Sequence, residues 1–106
     1  MNDTDFITQS DAIFAQIDQA VENAGLDVDA LLQGNVLELD FDNGEKIIIN
    51  RHEAQHELWI AAKSGGYHFA WRDGAWRSTR DDSEFFDMLA EVISAASGET
   101  FCFIAE

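Results

Sequence analysis

Val36-Leu37-Glu38-Leu39-Asp40-Phe41-Asp42-Asn43-Gly44-Glu45-Lys46-Ile47-Ile48-Ile49-Asn50 is the stretch on which the fold turns. Leu37, Leu39 and Phe41 alternate with Glu38, Asp40 and Asp42, so residues 36–42 form a strand with one dry face and one carboxylate face. Asn43-Gly44 is a favoured two-residue hairpin turn, because both residues accept the positive φ that such loops require, and 45–50 returns as the next strand. A two-residue loop sets Ile48 beside Leu39 and turns it inward. Ile47 and Ile49 then point to the opposite face, among Glu38 and Asp40.

Outward from this hairpin the same period of two continues. Gly34-Asn35, Gly65-Gly66 and Asp73-Gly74 punctuate further strands at 28–33, 57–62, 66–72 and 75–78, which makes an antiparallel meander. Trp59 lies between Leu58 and Ile60, so if those two are core it faces the open side of the sheet and contributes to an apolar patch suited to a partner. On either side of the meander the period becomes helical. Residues 3–24 place Phe6, Ile13, Ile17, Ala20, Val21 and Ala24 on one arc with Phe14 at its edge, Asn2 or Asp3 as cap and Gly25 as stop. Residues 82–97 place Phe85, Phe86, Leu89, Val92, Ile93 and Ala96 on the inner arc of a second helix, capped by Asp81 or Asp82 with Glu84 in its first turn and ended by Gly98. Phe101 to Ile104 forms a short closing segment, with Cys102 as a small buried hydrophobe. Helix, antiparallel strands, helix implies an α+β two-layer sandwich with both helices on one sheet face, a single domain over residues 1–106.

Charge is sorted along the chain. The first forty-five residues hold eleven carboxylates and no lysine or arginine, residues 46–80 carry a net +3, and residues from Asp81 onward carry −7, for a total of −15. Such a field attracts cations or a basic partner, and its self-repulsion leaves stability dependent on counter-ions. Nucleic acid is excluded as a partner by the shortage of clustered lysine and arginine. With neither a signal-like start nor an apolar run of membrane-spanning length, the protein is expected in the cytoplasm, and the lone cysteine fits a reducing compartment.

At about 100° per residue, Asp11, Asp18 and Glu22 fall within roughly 40° of one another on the first helix, along one border of its apolar arc. Asp27 and Asp29 continue the stripe past Gly25, on one side of the first strand. Interleaved Lys or Arg at i+4 would mark an ordinary solvated face, and none is present. Carboxylates are hard oxygen ligands for Mg²⁺, Ca²⁺, Mn²⁺ and iron, and with no imidazole anchor or cage such sites are shallow, water-completed and weak. His52-Glu53-Ala54-Gln55-His56 matches the zinc-protease pattern, which works only on a helix; here it bridges two strands and is read as coincidental. A sandwich of this size offers little room for an enclosed site, so the chain is read as a binding protein and not as an enzyme.

The runs Asn43-Gly44-Glu45-Lys46-Ile47-Ile48-Ile49-Asn50-Arg51, Leu58-Trp59-Ile60-Ala61 and Gly65-Gly66-Tyr67-His68-Phe69, in that order, with the acidic first helix and strand and the final Gly98-Glu99-Thr100, resemble the frataxin family in its bacterial form. The resemblance covers essentially the whole chain. It implies a frataxin-like sandwich that binds Fe²⁺ and Fe³⁺ weakly through an acidic ridge, mapped here onto Asp11, Asp18, Glu22, Asp27 and Asp29. It implies an accessory and regulatory role in iron-sulfur cluster assembly through the cysteine desulfurase and its scaffold protein, with Asp18, Glu22, Glu38, Asp40, Asn50 and Trp59 as partner-binding residues and a monomer in the absence of metal. The alternative is an iron chaperone or store that oligomerises on metal loading and donates iron to the scaffold.

Overall fold

The computed structural model describes residues 1–103. Helix α1 (Asp3–Asn23) is followed by β1 (Val28–Gln33), β2 (Val36–Phe41), β3 (Lys46–His52), a 3-10 turn over Glu53–Gln55, β4 (Glu57–Ala62), β5 (Gly65–Arg72), β6 (Ala75–Ser78) and helix α2 (Phe85–Ser97). The strands form one antiparallel sheet in sequential order β1 to β6, as the short punctuated runs require. Asp73-Gly74 is a two-residue turn with positive φ at both residues, between Arg72 and Ala75, and Gly34-Asn35 joins Gln33 to Val36 with Gly34 at φ 58°.

The central hairpin departs from the two-residue reading. Phe41 N–H donates to Glu45 O and Gly44 N–H to Phe41 O, so the loop is the three residues Asp42-Asn43-Gly44, with Gly44 at φ 92°. One extra loop residue reverses the phase of β3. Leu39 pairs with Ile47 and Leu37 with Ile49, both isoleucines are buried, and Ile48 is the one that faces outward, opposite Glu38. Asn43 helps hold this loop: its Nδ2 donates to the Ala96 carbonyl at the end of α2, while its Oδ1 accepts from Glu45 N–H.

The inner face carries Leu37, Leu39, Phe41, Ile47, Ile49, Leu58, Ile60, Phe69 and Trp76. Both helices close over it, α1 through Phe6, Ile13, Phe14, Ile17 and Val21 and α2 through Phe85, Leu89, Val92, Ile93 and Ala96. Each fully buried side chain of this kind stabilises the fold by about 1.5–3 kcal/mol before conformational entropy is subtracted. Ala24, expected on the inner arc, is exposed, since the helix has already ended. Asn2 caps α1 by accepting from Asp5 N–H.

Helix α2 begins three residues later than its pattern suggested, and its cap is Glu84, whose carboxylate accepts from Phe86 and Asp87 N–H. Asp82 adopts φ 63° and Asp81 instead accepts from Ser83 N–H, so both belong to the preceding turn. In the closing segment Phe101 is buried and Phe103 half-buried, but Cys102 is exposed because it points away from the two phenyl rings that pack inward. Ile104 lies outside the described residues. Among the described residues no helix is long and apolar enough to cross a membrane.

Candidate functional site

The five ridge carboxylates all sit at the surface, on α1 and on the chain that leads from it into β1. Asp11 differs from the rest. Arg51, at the end of β3 and largely buried, reaches under α1 and donates to Asp11 Oδ1 at 2.5 Å, to Ser10 Oγ at 3.0 Å and, through Nε, to Asn35 Oδ1 at 3.0 Å. The same guanidinium lies over the Phe14 ring at 5.4 Å. A cation held in place by this many contacts offsets the Asp11 charge in the folded protein. Asp18, Glu22, Asp27 and Asp29 form no ion pair among the described residues, and the negative field is theirs.

A second group of acids lies on the outer sheet face. Asp29 of β1 pairs with Asp40 of β2, which pairs in turn with Lys46 of β3. Lys46 Nζ is 3.9 Å from Glu38 Oε2 and from Asp40 Oδ1, so one lysine is shared by two carboxylates. At that distance it is an ion pair and not a hydrogen bond, and Asp40 Oδ1 stays shielded from solvent without a hydrogen-bond partner. Asp29 lies beyond the lysine, continuous with the free acids of the ridge. Among the described residues no three His, Cys, Asp or Glu side chains converge to hold a metal ion, so the donors available to a cation are single carboxylates completed by water.

Farther along the same face the chemistry turns aromatic. Asn50, Trp59 and His68 are register partners across β3, β4 and β5. The Trp59 indole is sandwiched between two imidazoles, His52 at 4.3 Å and 13° and His68 at 4.0 Å and 3°. Trp59 Nε1–H donates to Glu57 Oε1 at 2.9 Å, and His68 Nδ1 lies 3.9 Å from the same oxygen. These contacts fix the indole upright on the sheet. The outer face thus runs from free carboxylate at β1, through half-neutralised carboxylate at β2, to a preordered aromatic stack over β3–β5. Of the residues expected to meet a partner, Glu38, Asp40, Asn50 and Trp59 all lie on this face, whereas Asp18 and Glu22 stand on α1 in the other layer.

The His52–His56 motif does not make a shared helical face. The chain between the histidines is one 3-10 turn and His56 has φ 51°, so His52 goes to Trp59 while His56 stacks on Phe6 at 5.1 Å and meets Asp3 Oδ1 at 2.6 Å. Two parts of the site were missed by reading residue types alone: the imidazoles that flank Trp59, and the arginine that occupies Asp11. The first was accessible from the Lys63-Ser64 connection, whose two-residue length, between Ala62 and Gly65, sets Trp59 opposite His68. The second had no local signal, since forty residues separate Arg51 from Asp11.

Residues 1–99 match the family described as the frataxin-like domain. The chain is 55% identical to the iron-sulfur cluster assembly protein CyaY of Chromobacterium violaceum over 97% of its own length and 98% of that protein. It is 50% identical to the protein of the same name from Neisseria meningitidis serogroup B, over 93% and 92%. Among solved structures, the frataxin of Psychromonas ingrahamii superposes with a TM-score of 0.91 at 36% identity, covering 99% of this chain and all of that one. Trimeric frataxin from the yeast Saccharomyces cerevisiae, in its ferrous complex, shares the fold at a TM-score of 0.70 and 23% identity over 89% of this chain and 86% of that one. The acidic α1–β1 surface and the aromatic sheet face therefore belong to a member of the frataxin-like family, related over nearly its whole length to bacterial proteins named for iron-sulfur cluster assembly.

Proposed function

We propose that this protein is a cytoplasmic, iron-binding accessory and regulator of iron-sulfur cluster assembly that docks on the cysteine desulfurase–scaffold complex. The observation that carries the reading is the continuity of unpaired carboxylates at β1 with the immobilised Trp59 stack on one sheet face. Long-range attraction from Asp18, Glu22, Asp27 and Asp29 sets encounter rate and orientation on a basic surface, and the Trp59 stack with Asn50 supplies contact that can be desolvated. Glu38 and Asp40, sharing Lys46, contribute polar contact between these two zones.

Iron is cargo on this surface. Asp18, Glu22, Asp27 and Asp29 offer it single hard oxygen ligands, whereas a cation at Asp11 has to compete with Arg51. Iron bound there neutralises charge that would otherwise meet the partner, so iron level and complex affinity are linked. The test is desulfurase binding and cluster formation on the scaffold, with and without this protein and across Fe²⁺ concentrations. The double variant Asp18→Lys/Glu22→Lys is expected to lose desulfurase binding and to weaken iron binding together; unchanged affinity at low salt removes the acidic ridge from the mechanism.

A further inference from the structure

The two edges of the sheet are treated differently. At β6, Ser78 N–H donates to Ser83 O and Arg77 forms a bridge with Glu84, so the segment leading into α2 lies along that edge. Nothing among the described residues does the same for β1. Asp42 N–H donates to Asp27 O, which fixes the alternation: Asp27, Asp29, Leu31 and Gln33 direct their backbone groups at β2, and Val28, Ala30 and Leu32 direct theirs away from the sheet. The outward N–H of Val28 is taken by Leu26 O. Ala30 and Leu32 have no hydrogen-bond partner for their outward N–H and C=O groups among the described residues. Beside them, Leu31 and Leu32 are 52% and 56% exposed, on opposite faces of the strand. An open edge flanked by exposed leucines, without an intervening lysine or proline, is a template for an added strand, and its aspartates are the feature that selects which strand can pair.

Charge decides what fits. On the outer face of the strand the order is Asp27, Asp29, Leu31, Gln33, and neither aspartate is ion-paired among the described residues. A second copy brings another −15 and no cation on its own β1. A basic extended segment is complementary. We propose that β1 accepts a lysine- or arginine-bearing extended segment of a partner protein as an added edge strand, with basic residues opposite Asp27 and Asp29 and an apolar residue opposite Leu31. The outward groups of Ala30 and Leu32 supply the ladder, and the side chains supply direction and selectivity. The inference rests on the proposed function only in taking the acidic edge as attractive to a basic partner.

The experiment uses the whole protein and the capped hexapeptide Val-Val-Lys-Val-Lys-Thr, with a control in which both lysines are glutamate. Amide hydrogen exchange and backbone chemical shifts are read by NMR. Saturating basic peptide is expected to slow exchange of the Ala30 and Leu32 amides at least tenfold, and the glutamate peptide to leave them unchanged. Ala30→Pro removes an outward N–H without touching the β1–β2 ladder and is expected to weaken peptide binding at least tenfold. Asp29→Lys/Leu31→Lys, which keeps the backbone intact, is expected to do the same and covers the case in which the proline variant misfolds. Shifts confined to the carboxylates of α1, with Ala30 and Leu32 unprotected, overturn the proposal, as does protection that rises with protein concentration in the absence of peptide. Failure of desulfurase binding with peptide protection intact sinks the proposed function alone; the opposite pattern sinks only the added strand.

Discussion

The Trp59 indole and the His68 imidazole lie 4.0 Å apart with their planes 3° from parallel, and Glu57 holds the indole N–H on the same face. Each such aromatic pair is worth about 0.5–1.5 kcal/mol beyond buried area. Because the stack stands outside the core, its contribution to folding is small relative to what a rigid aromatic anchor offers a partner. Trp59→Ala is expected to cost about 1–2 kcal/mol of folding stability and to weaken desulfurase binding by about 30-fold or more, in keeping with a central tryptophan hot spot. His68→Ala keeps the indole but frees it to reorient, and is expected to weaken binding by about threefold, a loss of preorganisation. Calorimetric titration and thermal unfolding of the same samples separate the two effects.

The phase of β3 is tested by an isoleucine series. Ile47→Ala and Ile49→Ala open cavities in the core and are expected to cost about 2–4 kcal/mol each, while Ile48→Ala, on the outer face, is expected to cost less than about 1.5 kcal/mol. Urea unfolding of the three variants gives the ranking. A larger loss at position 48 than at 47 and 49 restores the two-residue loop and its opposite register.

That hairpin also marks where the sequence stops being legible. Strand limits followed from turn chemistry, and Leu37, Leu39 and Phe41 declare their face by alternating with acids. Ile47-Ile48-Ile49 has no alternation, so its face depends entirely on loop length, and Asn43-Gly44 suits both a two-residue loop and the end of a three-residue one. The three-residue loop puts two isoleucines, not one, into the core, and it lets Asn43 reach the Ala96 carbonyl, a contact across fifty-three residues that no local pattern carries. The acidic stripe was readable for the opposite reason: helical phase alone places Asp18 and Glu22 together. Whether a carboxylate is free or occupied depends on tertiary neighbours, and Asp11 shows the difference.

Arg51 is therefore predicted to be a structural residue and Asp11 a peripheral one. Arg51→Ala leaves the buried Ser10 hydroxyl and Asn35 without their guanidinium donor and strips the face of Phe14, at an expected cost of about 2–3 kcal/mol. Asp11→Asn, at a largely exposed carboxylate, is expected to cost less than about 1 kcal/mol. In iron titrations, Asp11→Asn is expected to stay within twofold of the parent while Asp18→Asn/Glu22→Asn loses affinity. Equal losses in the two variants would return Asp11 to the free ridge.

Acid weakens the entry to α2 in a defined direction. Ser83, first through its backbone N–H and then through its hydroxyl, holds the Asp81 carboxyl below its ordinary value of 3.8. A depressed folded-state value means that the contribution is fully present above the unfolded value and disappears as pH falls through the folded one. Asp81→Asn is accordingly expected to unfold at lower urea than the parent near neutrality, and the gap is expected to close at pH values below the folded-state value. Urea midpoints measured down the acid limb check the sign; a gap that widens in acid contradicts it.

With a net charge of −15 and four unpaired ridge carboxylates, salt and metal act on this molecule by different routes. Monovalent salt is expected to screen self-repulsion and raise the melting temperature, and by the same screening to weaken the proposed docking on a basic partner. A divalent cation that binds the folded ridge stabilises by mass action, about 2.7 kcal/mol at a hundredfold excess over its dissociation constant. The Mg²⁺ or Fe²⁺ increment in melting temperature, measured anaerobically at constant ionic strength, is expected to shrink in Asp18→Asn/Glu22→Asn, whereas the increment from sodium chloride is expected to remain. If both increments fall in parallel, the ridge acts as diffuse charge alone and holds no cation at defined carboxylates. Sedimentation velocity on the same samples separates the two roles: a regulator is expected to stay monomeric with and without Fe²⁺, whereas metal-dependent growth in size would favour the store.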